Sequence, residues 1–263
     1  ELYNSLETAT IEDNYFSINY GGKYFDYDMS KKIGWIREDI ENSKSELTEK
    51  EYAILLATLI YNIDKHANTL GHFEAYIKKP IKKSELKLRL IDVKEFENLT
   101  IYREDSNKLA KEIKSDLVYI DPPYNSRQYC RFYHVYENLV KWDKPILSGV
   151  AMKPPAENMS KYCTSKAPEA FSDLVKNLDA KYLAVSYNNT YNSKSGSSKN
   201  KIKLEEIEEI LNAKGETKKF AKDYRFFNAG KSDLENHQEL LYITKVKRKK
   251  KKFIVRLFFT QVI

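Results

Sequence analysis

Hydrophobic and polar positions change period along this chain, and the changes mark out its elements. Ile33, Ile36 and Ile40 recur at helical spacing over residues 31–43, with Ser30 as the expected N-cap. Thr48-Glu49-Lys50-Glu51 has the form of a capping box. Ala53, Leu55, Leu56, Leu59, Ile60 and Ile63 follow it, which predicts a helix to Lys65. Pro80 breaks the next segment. Leu86, Leu88 and Leu90 alternate with Lys87 and Arg89, the period of a half-buried strand. Leu99 to Tyr102 is a second strand candidate, followed by a helix over 106–113 that Asp105 or Ser106 caps. Leu117 to Ile120 is a short apolar run stopped by Pro122 and Pro123, and it reads as a buried strand. Helices are predicted at 131–141 and 167–177, the second with Pro168 in its first turn. Tyr182 to Tyr187 is another buried strand, and Asn188 to Asn200 a surface loop rich in Asn, Ser and Gly. A helix over Lys203 to Asn212, with Gly215 just beyond it, precedes strands at Phe220 to Phe227 and Leu240 to Val246. Strands and helices alternate from residue 99 onward, which argues for an α/β sheet, whereas residues 31–80 read as a helical insertion.

Charge changes this picture less than its total suggests. The 263 residues hold 45 Lys and Arg against 38 Asp and Glu, a formal net charge of +7. Seven of the basic residues lie in the run Lys245 to Lys252; without them 38 basic residues face 38 acidic ones. The basic balance is therefore no argument for nucleic acid. With 20 tyrosines and 32% charged residues the composition is that of a folded globular protein. No apolar run reaches the eighteen or so residues of a membrane span, and the start has no signal-peptide pattern, so no membrane partner and a cytoplasmic location are expected. Cys130 and Cys163 are too few for a disulfide scaffold, and with His66, His72 and His134 they make no metal-ligand spacing, so no metal is expected. The apolar tail Phe253 to Ile263, coming after a basic run that reads as a natural C-terminus, is expected to be appended sequence; a last strand is the other reading.

The segment that carries chemistry is Asp121-Pro122-Pro123-Tyr124, set directly after the Leu117 to Ile120 strand. In open α/β sheets, ligands bind beyond the carboxyl ends of strands. Two prolines narrow the backbone around the acid. A turn is the plain reading of the tetrapeptide, but the preceding buried strand favours a site. The arrangement suits an exocyclic amine such as that of adenine, whose lone pair is delocalised into the ring. The Asp121 carboxylate and the Pro122 carbonyl can each accept one N–H, biasing the nitrogen toward tetrahedral geometry and freeing its lone pair for a methyl group. Tyr124 offers a ring on which an extruded base can stack, worth ~1–3 kcal/mol. Fixed acceptors facing developing positive charge are a case of electrostatic preorganisation. Arg127 and Tyr129 lie next to the motif and are candidates for contact with the target phosphate or base, packing being the other reading. Lys78, Lys79, Lys82, Lys83, Lys87 and Arg89, with Tyr76 nearby, form a local basic stretch that suits a DNA backbone; a solvated face is the alternative.

The run Asp121-Pro122-Pro123-Tyr124-Asn125-Ser126-Arg127-Gln128-Tyr129, continuing to Tyr133-His134 and Glu137, resembles the catalytic segment of DNA N6-adenine methyltransferases of the Dam-like (alpha) group. Asn68 to Phe73 and Ala75 to Lys79 resemble part of that family's inserted region, and the likeness extends over residues 15–247. It implies an α/β, Rossmann-like methyltransferase sheet with a helical target-recognition insertion. The implied division is 1–27 for the end of the core's N-terminal part, 28–95 for the insertion, 96–247 for the catalytic core and 248–263 for the tail. It implies methyl transfer from S-adenosylmethionine to adenine N6 in double-stranded DNA, in a restriction-modification setting with a cognate restriction endonuclease. Asp121, Pro122, Pro123 and Tyr124 are then catalytic, Asp105 and Asp121 cofactor-binding, and Arg127, Tyr129, Lys78 and Lys79 substrate-binding. Two other readings are an RNA methyltransferase acting on an exocyclic amine and a non-catalytic DNA-binding remnant or subunit; Asp-Pro-Pro-Tyr alone is shared with some RNA guanine methyltransferases. The sequence departs from the family in lacking its Gly-rich loop after a first strand and the acid after a second. Family order puts that loop just before Glu1, so the expectation is an N-terminally incomplete core that binds S-adenosylmethionine weakly or not at all by itself.

Overall fold

A computed structural model describes residues 1–190, 199–224 and 237–247. In chain order its elements are α1 (Leu2–Ser5), α2 (Tyr15–Tyr20), α3 (Tyr27–Asn42), α4 (Glu49–Asp64), α5 (Ser106–Leu109), β1 (Lys114–Ile120), α6 (Tyr129–Phe132), α7 (His134–Lys141), α8 (Ala167–Asn177), β2 (Asp179–Asn188), α9 (Leu204–Lys214), β3 (Gly215–Asp223) and β4 (Gln238–Val246). They divide into two units. One comprises Glu1–Leu99 with Tyr129–Glu157, the other Thr100–Gln128 with Asn158–Ile263. The tail Phe253 to Ile263 and most of the lysine run lie outside the described residues.

The first unit is helical. α2 was not legible in the apolar pattern; Asn14 caps it, accepting from Phe16 N and Ser17 N, while the Ser17 hydroxyl accepts from Asn14 N. α3 starts earlier than its isoleucines suggest. Its cap is Asp26, and Ser30 is a buried residue of the first turn whose hydroxyl donates to the Asp26 carbonyl. The Thr48–Glu51 box forms as expected, closed by Glu51 N to Thr48 Oγ1 at 3.2 Å and Thr48 N to Glu51 Oε2 at 2.9 Å. The unit's core is aromatic as well as aliphatic: Phe16, Tyr20, Tyr24, Phe25 and Phe73 pack with Ile33, Ile36, Ile40, Leu59, Ile63, Val135 and Leu139.

Two strand expectations are overturned. Residues 86–90 form no strand although Leu86 is buried, because side chains take over the task of a neighbouring strand. Asn4 pairs with the Leu88 backbone through both its oxygen and its nitrogen (2.7 and 3.0 Å), and Asn62 does the same for Arg89 (3.1 and 2.8 Å). This satisfies the peptide groups that an isolated strand would leave open. Leu99 to Tyr102 is also no strand, and Leu99 and Ile101 are exposed. The helix expected over 131–141 is broken at Tyr133, and Phe73 N donates to the Phe132 carbonyl at the break (2.7 Å). The helix expected over 106–113 stops at Leu109.

The second unit is an α/β sheet in the order β1-β2-β4-β3. β1 and β2 are parallel, with Ile120 beside Val185; β4 runs antiparallel to both β2 and β3. Val118, Ile120, Leu183, Val185 and Tyr187 face one way and pack with Phe171, Leu174 and Val175 of α8 and with Ile207 and Leu211 of α9. This alternation sends Tyr119, Asp121 and Ser186 to the other face. The chain beyond β2 is less a surface loop than its composition suggests. Asn188, Thr190 and Asn200 are buried, with Asn200 Nδ2 donating to the Asn188 carbonyl (2.6 Å) and Thr190 Oγ1 lying 2.6 Å from Asn200 Oδ1. Residues 191–198 lie outside the described part.

Candidate active site at the end of the first strand

Asp121 is the first residue beyond β1, and two consecutive prolines end the ladder there by removing two backbone donors. Its carboxylate is half-buried and already held. Oδ1 accepts from the Tyr124 hydroxyl at 2.8 Å and from the Ser186 hydroxyl at 2.9 Å; the two hydroxyl oxygens are 3.3 Å apart. One carboxylate oxygen is thus fixed by two donors, while Oδ2 and the Pro122 carbonyl accept none among the described residues.

Tyr124 is in turn held along its whole length. Lys201 N donates to its carbonyl at 2.7 Å, and the Tyr187 hydroxyl lies 3.3 Å from the same oxygen. The Tyr124 ring meets the Tyr187 ring edge-on, with centroids 4.9 Å apart. Burial, with the hydrogen bond and charge of Asp121 adding to it, pushes the Tyr124 phenol well above its ordinary range. It therefore stays protonated and remains a donor to Asp121. The buried Asn188–Thr190–Asn200 knot lies directly before Lys201 and so fixes the backbone that grips Tyr124.

The remaining sequence candidates fall in different places. Arg127 is half-buried in the same unit; its N–H donates to Asn125 Oδ1 (3.0 Å) and its carbonyl accepts from the Cys163 thiol. Gln128 next to it is buried and pairs through both ends of its amide with the Ser160 backbone. Asp105 is exposed and caps α5, its Oδ1 accepting from Asn107 N and Lys108 N at 3.0 and 3.1 Å. Tyr129, Lys78 and Lys79 belong to the helical unit. Tyr129 is half-exposed and stacks on Tyr133, and Lys78 and Lys79 are exposed. Within the same basic stretch, Lys83 is paired with Asp28 at 2.8 Å and Lys87 with Glu85 at 3.2 Å. The His134 ring nitrogens lie 3.0 and 2.8 Å from the carbonyls of Arg131 and Ala151; burial lowers its pKa, and the neutral ring donates to one of the two. Among the described residues no group of three His, Cys, Asp or Glu side chains is arranged to hold a metal.

Ser186 is the site residue that the sequence did not single out. The available signal was a hydroxyl in the otherwise apolar run of β2.

The sequence matches the family described as D12 class N6 adenine-specific DNA methyltransferase over residues 1–190. It is 38% identical to the modification methylase StsI of Streptococcus sanguinis over 71% of this chain and 28% of that protein. It is 34% identical to the type II methyltransferase M.FokI of Planomicrobium okeanokoites over 84% of this chain and 35% of that protein. It is 33% identical to the type II methyltransferase M.NlaIII of Neisseria lactamica over 82% of this chain and 64% of that protein. The chain thus spans between 28% and 64% of the length of these relatives. No solved structure matches it. With Asp-Pro-Pro-Tyr at the end of a parallel strand and a family match over most of its length, the chain belongs to the D12 class of N6 adenine-specific DNA methyltransferases.

Proposed function

We propose that this chain carries the target-amine end of a site-specific methyl transfer to N6 of adenine in double-stranded DNA. We take S-adenosylmethionine to be the donor, and the setting to be the modification half of a restriction-modification system, cytoplasmic and paired with a cognate restriction endonuclease. One observation carries this reading: the Asp121 carboxylate has one oxygen fixed by Tyr124 and Ser186, while the other accepts no hydrogen bond among the described residues.

In this mechanism Asp121 Oδ2 and the Pro122 carbonyl each accept one N–H of the adenine amine. The acceptors are in place before the base arrives, so little reorganisation is needed as positive charge develops on the nitrogen. Tyr124 contributes its ring to the extruded base, while its hydroxyl keeps Asp121 oriented. Arg127 and Tyr129 are assigned to the target nucleotide, and Lys78 and Lys79 to the phosphate backbone, where charge confers affinity without sequence choice.

S-adenosylmethionine, when bound, supplies a methyl group on a sulfonium, which an amine can displace directly. Among the described residues, Asp105 fits its amine groups in donor chemistry, since Oδ1 holds the cap of α5 and Oδ2 remains an acceptor. Asp121 is the other carboxylate assigned to it. None of the described glycines follows the end of a strand, so no glycine cradle is assigned here.

The test is methyl incorporation by the full-length protein into duplex DNA and structured RNA, followed by nucleoside identification. The expected product is N6-methyladenine from the duplex alone. Methylguanine, or methyl groups found only in RNA, would overturn the reading.

A further inference from the structure

A second carboxylate stands at the end of the sheet, outside the Asp-Pro-Pro-Tyr motif. The β1–β2 register, carried one residue past Ile120 and Val185, sets Asp121 beside Ser186. The β2–β4 register sets Leu241 opposite Ser186 and Glu239 opposite Asn188. Cross-strand partners share a face, as do alternate residues along a strand. Asp121, Ser186, Asn188 and Glu239 therefore lie on one face, and Glu239 is one diagonal step, ~7–8 Å between backbones, from the residue that holds Asp121. On its other side His237 Nε2 lies 3.5 Å from Glu239 Oε1; the histidine side chain is 4% exposed and the glutamate side chain 40%. On β3, Lys222 is the residue opposite Glu239.

The chemistry leaves a task open at this place. When the adenine amine takes a methyl group, the C–N bond forms as the carbon–sulfur bond breaks and its electron pair goes to sulfur. The nitrogen then carries two hydrogens and a positive charge. One N–H bond must break, its pair returning to nitrogen, and the proton needs an acceptor. Asp121 and the Pro122 carbonyl hold the hydrogens, but a carboxylate bonded by two hydroxyls is a poorer base than one with fewer donors.

We propose that Glu239 is the final acceptor of this proton, reached from the target amine through one bridging water, with His237 positioning its carboxylate. The O–H bond forms on Glu239, the product base leaves neutral, and the half-exposed carboxyl discharges its proton to solvent. The neighbourhood suits a base. Burial raises the proton affinity of Glu239 above that of an ordinary glutamate and the charge of Asp121 adds to this, while His237 acts the other way. Such tuning toward neutrality makes a carboxylate a more effective proton acceptor.

This inference rests on the function proposed above, and its two tests fail separately from it. In the present chain, carboxyl-carbon NMR is expected to show Glu239 titrating above the ordinary glutamate range and returning toward it in Asp121→Asn. A Glu239 that titrates normally in both proteins overturns the proposal. Glu239→Gln is expected to slow single-turnover methylation of duplex DNA by ~10²-fold. Duplex affinity and thermal melting should be unchanged, and the fall of the rate on the acidic side should disappear. Glu239→Asp is expected to recover part of the rate with a displaced pH profile. A Glu239→Gln protein that keeps the parental rate and acidic limb overturns the proposal, whereas a parent that methylates no adenine overturns the function on which it rests.

Discussion

Both units bury polar side chains, but they use them differently. In the helical unit Arg37 is fully buried, and its guanidinium reaches the carbonyls of Leu139 (2.5 Å) and Val140 (3.3 Å), Glu41 (2.8 Å) and the Tyr52 hydroxyl (2.9 Å). Those two carbonyls belong to the last turn of α7, which has no partners of its own for them. Asn138 Nδ2 likewise donates to the hydroxyls of Tyr15 and Tyr20 at 2.9 and 2.8 Å. These groups act as clamps between segments far apart in the chain. At the end of the sheet, Asp121, Tyr124 and Ser186 bond chiefly to one another, at half-buried positions, and one carboxylate oxygen is left over among the described residues. The difference separates scaffold from chemistry better than residue type does: a polar group whose main bonds are spent inside the fold supports it, whereas one held in place with an acceptor in reserve can act on a ligand.

The sharpest way to break this contrast is Arg37→Ala. The change strands two carbonyls and empties a fully buried site, while Glu41 keeps the Tyr52 hydroxyl and Lys44, and it should cost ~2–4 kcal/mol in urea unfolding. A loss within ~1 kcal/mol would deny the clamp role. Ser186→Ala is the opposite case. It removes one of the two donors on Asp121 Oδ1 and should lower methyl transfer by the full-length protein ~10-fold, or ~1.4 kcal/mol in the barrier. Its unfolding should shift by no more than ~1 kcal/mol. An unchanged rate with lost stability would make Ser186 part of the scaffold.

Much of the sheet unit was legible because its signals are local. The apolar run ending at Ile120, the run Tyr182 to Tyr187 and the amphipathic stretch with Pro168 each carry their own period, and each forms the predicted element. The misses have physical reasons too. The alternation at Leu86 to Leu90 is satisfied by Asn4 and Asn62, and no periodicity announces that side chains will stand in for a strand. α2 carries few aliphatics; its signals were the Asn14–Ser17 cap and aromatic residues one turn apart. Asp121 could be singled out because the prolines and the preceding strand are its neighbours in sequence. Ser186 and Glu239 could not, since Ser186 lies 65 residues from Asp121 and only the pairing of strands brings it there.

The central claim is that the Asp121 carboxylate acts on the target amine and does not merely stabilise the turn. Its most direct test is single-turnover methylation of duplex DNA by full-length Asp121→Ala beside the parent, with duplex affinity measured on both. The account predicts transfer reduced by at least ~10²–10³-fold, the scale of a lost preorganised electrostatic contact, with affinity nearly unchanged. Turnover within a few-fold of the parent would contradict it.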